Sequence, residues 1–127
     1  MNLEKVIFAF FILLALTLNF GFFLGDMTDP DQHNVYELFA AIVVSIIATI
    51  LKLGDRTQLG SVLFAASLVA DLQLIIAAVI WGFAAHGSGG GLTPSTVSSI
   101  VSLSGGALLA NTVSVVLLVI ETQMARR

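Results

Sequence analysis

Four stretches of almost unbroken apolar side chains, Val6 to Leu24, Val35 to Leu53, Leu59 to Phe83 and Val97 to Gln123, dominate the chain. Each reaches the roughly 17 to 25 residues that a bilayer-spanning helix needs. Lipid offers a backbone no hydrogen bonds, so such a run predicts a helix, which satisfies its own amides. Composition points the same way. Of 127 residues, 57% are hydrophobic and 10% charged, against about 25% charged in a soluble domain, which leaves too few charges to cover a water-facing shell. The expected architecture is an all-α membrane protein, a single four-helix transmembrane domain over residues 1–127 with no soluble catalytic module. The absence of cysteine excludes disulfides, thiolate zinc sites and thiol chemistry. The first run is expected to be retained: it exceeds the roughly 7 to 15 residues of a signal peptide's apolar region, and "LTLNFGFFLGD" offers no small-x-small cleavage site.

Positive charge sets the expected topology. Lys5 precedes the first span, Lys52 and Arg56 flank the second connection, and Arg126 and Arg127 stand at the end. All five fall on one side of a four-span arrangement, the side that the positive-inside bias makes cytoplasmic. Both termini are therefore expected in the cytoplasm, with the protein in a bacterial inner membrane. The opposite connections, "GDMTDPDQHN" and "AAHGSGGGLTPST", hold no lysine or arginine. Tyr36 and Trp81 fall at the outer interface, where an aromatic belt is expected.

The outer connection gathers Asp26, Asp29, Asp31 and His33, residue types that suit a hard or borderline metal. Calcium-loop spacing is absent, however, Pro30 marks a turn, and Asn34 with Glu37 reads as a capping box for the second helix. No metal site is expected there. Asp26, Asp29, Asp31 and Glu37 instead form an acidic outer mouth that concentrates cations. On the cytoplasmic side Gly54 is placed to end the second helix in the left-handed conformation, and Asp55 with Gln58 reads as a capping box for the third. The third connection is glycine-rich and reads as a flexible linker, since "GSGGG" lacks the preceding strand and following Lys-Ser/Thr of a nucleotide cradle. Thr93 and Pro94 then open the fourth helix. His86, at the linker's edge, either senses periplasmic pH or has no special role.

Around Asp55, "LGDRTQLGSVLFAA" resembles the signature of the bacterial manganese and calcium exchanger family. In that family an acid two residues before Gly-Asp-Lys/Arg-Ser/Thr serves as a metal ligand. Here that position is Lys52, a second copy of the motif is absent, and Asp55 is the one ligand that the resemblance carries over. As a whole the chain resembles small bacterial four-helix integral membrane proteins whose families have no assigned function. Small multidrug exporters have a similar size and helix count, but the acid of their first helix is missing here and the charge bias opposes dual topology.

The residues with most to explain lie inside the spans. Asp71 is twelve residues from either end of the third run, hence roughly 18 Å from both at 1.5 Å per residue, beyond the reach of any basic side chain. A charged carboxylate at that depth costs about 2.5 to 3.5 kcal/mol on insertion scales, so Asp71 is either neutral or ionised beside a water-filled path. Asn111 falls at nearly the same depth on the fourth span and is expected to meet it. Ser67 shares a face with Asp71, whereas Gln73 lies about 200° around the helix, so two faces of the third helix must touch protein or enclosed water; that helix is expected to be central, running through the middle of the bundle or turning one face to a subunit contact. On the fourth span Ser98, Ser102, Gly106, Ala110 and Ser114 repeat every four residues as a small-residue ridge for helix contact. A second stripe there runs through Ser104, Ala107, Asn111, Ser114, Leu118 and Glu121, with Glu121 expected near Arg126 and Arg127. The first span is rich in phenylalanine, has Asn19 as its one strongly polar residue, and reads as lipid-facing periphery.

Four helices around one acid make a thin bundle, so a homo-oligomer is expected, with the small-residue ridge as its contact. Two functions follow. One is a cation or proton channel or transporter subunit whose path is lined by Asp71, Asn111, Gln73, Ser67, Ser104 and Asn19. The other is a non-transporting accessory or assembly subunit of a larger membrane complex, in which Asp71 is a buried neutral contact. No enzyme is expected, for want of a nucleophile–base pair, metal triad or cofactor loop. Neither a cofactor nor a nucleic-acid partner is expected; the lipid bilayer is.

Overall fold

A computed structural model describes residues 3–87 and 91–125. Its helices are α1 (Leu3–Phe23), α2 (Val35–Lys52), α3 (Gln58–His86) and α4 (Pro94–Ala125), with one turn of 3-10 helix at Pro30–Gln32. Arg126, Arg127 and residues 88–90, which carry part of the topology and linker readings, lie outside the described residues. All four α-helices are long and apolar enough to cross a membrane. The chain is thus an all-helical, multi-pass membrane protein.

Local chemistry sets the helix ends. Asn34 Oδ1 accepts from Tyr36 N at 2.8 Å and caps α2. Glu37 does not close the expected box. It lays its carboxylate on α1 instead, where a Cβ added to Gly21 would stand 2.1 Å from Oε2. Beyond α2, Gly54 takes φ +91°, left-handed geometry that a residue without Cβ adopts freely. The cap of α3 is Thr57, not Asp55: Thr57 Oγ1 accepts from Gly60 N at 2.9 Å. Asp55 Oδ1 accepts from Thr57 Oγ1 at 2.7 Å and from Thr57 N at 2.9 Å. Asp55 therefore supports the cap from two residues upstream, because its side chain closes an Asx turn more readily than it reaches over a helix turn. Those two bonds, helped by the Lys52 ammonium, hold the Asp55 carboxyl below the usual carboxylate range. At α4, Thr93 Oγ1 accepts from Thr96 N at 3.2 Å ahead of Pro94.

The helices close into a ring, α1 on α2, α2 on α3, α3 on α4 and α4 on α1. None is central, so the expectation for α3 is corrected: it occupies a corner and is covered on two faces by its two neighbours. α1 is not mere periphery either. It buries Phe8, Ile12, Ala15, Asn19 and Phe22 while Phe10, Leu13 and Phe20 stay exposed. In a ring every helix turns one stripe inward and one towards lipid.

The small-residue ridge of α4 is also revised. Ser102 is exposed, Ser98, Gly106 and Ala110 are half-buried, and Ser114 is buried. A four-residue repeat advances about 40° per step around a 3.6-residue helix, so the ridge spirals from the outside of the bundle to its interior. The stripe spaced alternately three and four stays on one face: Ser104, Ala107, Asn111, Ser114 and Leu118 are all buried.

Two apolar clusters fill the bundle's ends. Phe22, Leu38, Ala41, Leu74, Ala77 and Ile100 belong to the one nearer the α1–α2 connection. Phe8, Ile12, Leu63 and Leu118 belong to the one nearer the chain ends. Across that second end Lys5 Nζ meets Glu121 Oε1 at 2.6 Å, so the basic partner of Glu121 among the described residues is Lys5. A layer of buried polar side chains separates the two clusters.

Candidate functional site

The layer is built on α2 and α3. Ser45 and Thr49 are one turn apart and so share a face of α2, and both point at Asp71, which is 7% exposed. Ser45 Oγ donates to Asp71 Oδ1 at 2.5 Å, and Thr49 Oγ1 lies 2.5 Å from Asp71 Oδ2. Thr49 Oγ1 is also 2.9 Å from the carbonyl of Ser45. A threonine hydroxyl has a single hydrogen, and Thr49 has two oxygens to give it to. If it follows the usual helical habit and donates to Ser45 O, the contact with Oδ2 is a hydrogen bond only when the carboxyl carries a proton and donates it to Thr49. With that proton all three contacts are hydrogen bonds; an ionised carboxylate leaves one of them without a hydrogen.

Asn111, expected beside Asp71, does not bond to it: neither Nδ2 nor Oδ1 of Asn111 has a hydrogen-bond partner, although the residue is fully buried. Gln73 explains the offset. Its amide packs on α4 at Gly106, where an added Cβ would stand 2.6 Å from Nε2. That antiparallel register sets Asn111 level with Ser67, about one turn from Asp71. Ser67 Oγ, Ser114 Oγ and Gln73 Oε1 are likewise buried without a partner. Asn19 and Ser104 bond to each other instead. Asn19 Nδ2 donates to Ser104 O at 3.0 Å, and Ser104 Oγ donates to Asn19 Oδ1. This pair joins α1 to α4.

Residues 32–122 match a family of unknown function. The chain belongs to DUF6394. No curated protein and no solved structure matches it. The DUF6394 span contains Ser45, Thr49, Ser67, Asp71, Gln73, Ser104, Asn111 and Ser114, and Asn19 stands outside it. It also contains the stretch likened to an exchanger signature; there Asp55 supports the α3 cap, a role that needs no metal.

The acids of the α1–α2 connection in this DUF6394 chain shape their own loop. Asp26 Oδ1 accepts from Thr28 N and Thr28 Oγ1, both at 2.9 Å. Those bonds, and to a smaller extent the neighbouring His33, hold the Asp26 carboxyl below its usual range. Asp29 Oδ1 accepts from Asp31 N at 3.0 Å, and Asp29 Oδ2 from Gln32 Nε2 at 3.2 Å. Asp31 remains exposed, and Glu37 rests on Gly21. Sequence reasoning missed Ser45 and Thr49. Counting back from the tight α2–α3 turn to the depth of Asp71 leads to Phe39, because α2 and α3 are not level where they join. The available signal was chemical: Ser45 and Thr49 are the only serine and threonine in "VYELFAAIVVSIIATILK".

Proposed function

We propose that this DUF6394 protein is a homo-oligomeric subunit of a proton or cation channel or transporter in a bacterial inner membrane, with Asp71 as its proton-carrying group. The observation that carries the reading is the set of buried, unpartnered polar atoms on Ser67, Asn111 and Ser114. In a bundle surrounded by lipid, each such group costs several kcal/mol unless water or a solute bonds to it. Water held there stands about one turn from Asp71, and hydroxyls, carboxyl and water together form a proton relay. One carboxyl with two hydroxyls suits a proton better than a divalent metal cation, which takes about six oxygen ligands. Apolar clusters on both sides of the layer fit a closed state, opened by helix movement or by assembly with further copies.

Reconstitution into liposomes tests this. A pH gradient or membrane potential is expected to drive proton uptake in the wild type and not in Asp71→Asn. Flux that survives the substitution sinks the role of Asp71. A second reading, the accessory subunit of a larger membrane complex, is favoured by one fact: both oxygens of Asp71 are engaged within the chain. It predicts no flux under any gradient. Orientation rests on Lys5, Lys52 and Arg56, and reporter fusions at both ends are expected to report the cytoplasm.

A further inference from the structure

His33 lies in a polar connection yet is 3% exposed. Its Nδ1 stands 2.6 Å from Phe22 O and its Nε2 2.7 Å from Asp26 O. Both partners are backbone carbonyls, which only accept. A neutral imidazole has one N–H and one lone pair, whereas the imidazolium has two N–H groups. The imidazolium alone makes both bonds; either neutral tautomer sets a nitrogen lone pair against a carbonyl oxygen. Phe22 O is in the last turn of α1, and Asp26 N, the amide that would continue the ladder to it, donates to Gln32 Oε1 at 2.7 Å instead. The helix dipole favours a cation at such an end.

The charges around His33 agree. The Asp26 carboxylate interacts favourably with it, Asp29 and Asp31 flank the 3-10 turn, and Glu37 of α2 lies on Gly21 of α1. From α3 the titratable group at this end is the exposed His86, and the first turns of α4 hold none. No lysine or arginine occurs between Lys5 and Lys52. The His33 ring also meets that of Phe22 at 5.6 Å, tilted by 48°, and the Phe22 ring meets Trp81 at 6.0 Å within the outer apolar cluster.

We propose that His33 is a pH-operated latch: as an imidazolium it straps the outer connection to the end of α1, and loss of one proton releases the strap and loosens the cluster around Phe22. The latch does not depend on the transport reading. Nitrogen NMR of histidine-labelled full-length protein in lipid nanodiscs reports its charge, and hydrogen exchange reports the strap. At acidic pH both His33 nitrogens are expected to carry hydrogen. As pH rises and one is lost, protection of the amides in residues 24–34, corrected for intrinsic exchange, is expected to fall roughly tenfold, the scale of one charge-assisted hydrogen bond. His33→Gln, with one donor group at most reaching one carbonyl, is expected to show the low protection at every pH, and His86→Gln to keep the step. A singly protonated His33 across the whole folded range, or protection that stays constant while His33 loses its proton, overturns the latch.

Discussion

Asp71 sits in a network that an amide completes as well as a neutral acid. In Asp71→Asn the new amide oxygen accepts from Ser45 and the new N–H donates to Thr49, so the three-bond arrangement survives without a titrating proton. Stability in mild detergent is therefore expected to change by less than about 1 kcal/mol, while proton flux is lost. An ionised Asp71 predicts otherwise, because Thr49 would have to turn its hydrogen from Ser45 O to the carboxylate. Thr49→Val is the complementary test. It removes one partner and leaves Asp71 half-bonded, and a loss of roughly 0.6 to 1.7 kcal/mol is expected from steric-trap or denaturant unfolding. A Thr49→Val variant as stable as wild type would mean that the hydroxyl is no part of the network. Asp71 was legible as an oddity because charge within an apolar run is visible in any reading; its partners were not, since depth along a sequence says nothing about the offset between two helices.

At the scale of the helices, the spans themselves were readable because bilayer length is an absolute requirement, and Pro94, Asn34 and Gly54 marked ends by chemistry that acts within a few residues. The junction of α2 and α3 was misread where two local solutions compete. Asp55 and Thr57 both qualify as caps, and the Asx turn between them decides in favour of Thr57. Two glycines test that arrangement. A Cβ at Gly60 would stand 2.1 Å from Asp55 Cγ. Gly60→Ala must therefore push aside a short side chain that is tied to Thr57, and a loss of about 1 kcal/mol, the worth of a cap, is expected in thermal unfolding. Gly21→Ala meets the far end of the longer Glu37 side chain, and its effect is expected to be within about 0.5 kcal/mol. Equal costs for the two would refute the cap. The same junction carries a pH dependence. The Asp55 carboxyl lies below its usual range in the folded protein, so its contribution is present above about pH 4 and is lost as pH falls through the lower folded value. Hydrogen exchange is expected to show the first amides of α3 losing protection in acid, and Asp55→Asn is expected to remove that loss.

The whole bundle places polar atoms where a purely structural protein gains nothing from them. Asn19 and Ser104 satisfy each other across α1 and α4, which shows that this fold accommodates buried amides when it bonds them. Asn111 is fully buried on the same stripe of α4 and has neither amide group bonded. If the bundle is only a scaffold, that amide is a cost with no return, and a leucine, branched at the same atom, is the better residue. If the layer is hydrated and carries protons, the amide is needed to hold water next to Ser67 and Ser114. If the layer is dry, Asn111→Leu is expected to stabilise the protein by roughly 1 to 3 kcal/mol, the desolvation penalty of an unpartnered polar group; if water already bonds the amide, the gain is expected to be smaller. The two readings part on flux. A stabilised variant with proton uptake abolished ties the unpartnered atoms to transport through a trade of stability for function. Uptake unchanged in the stabilised variant would leave the orphaned amide with no part in proton movement, and would return the polar layer to the role of contact surface.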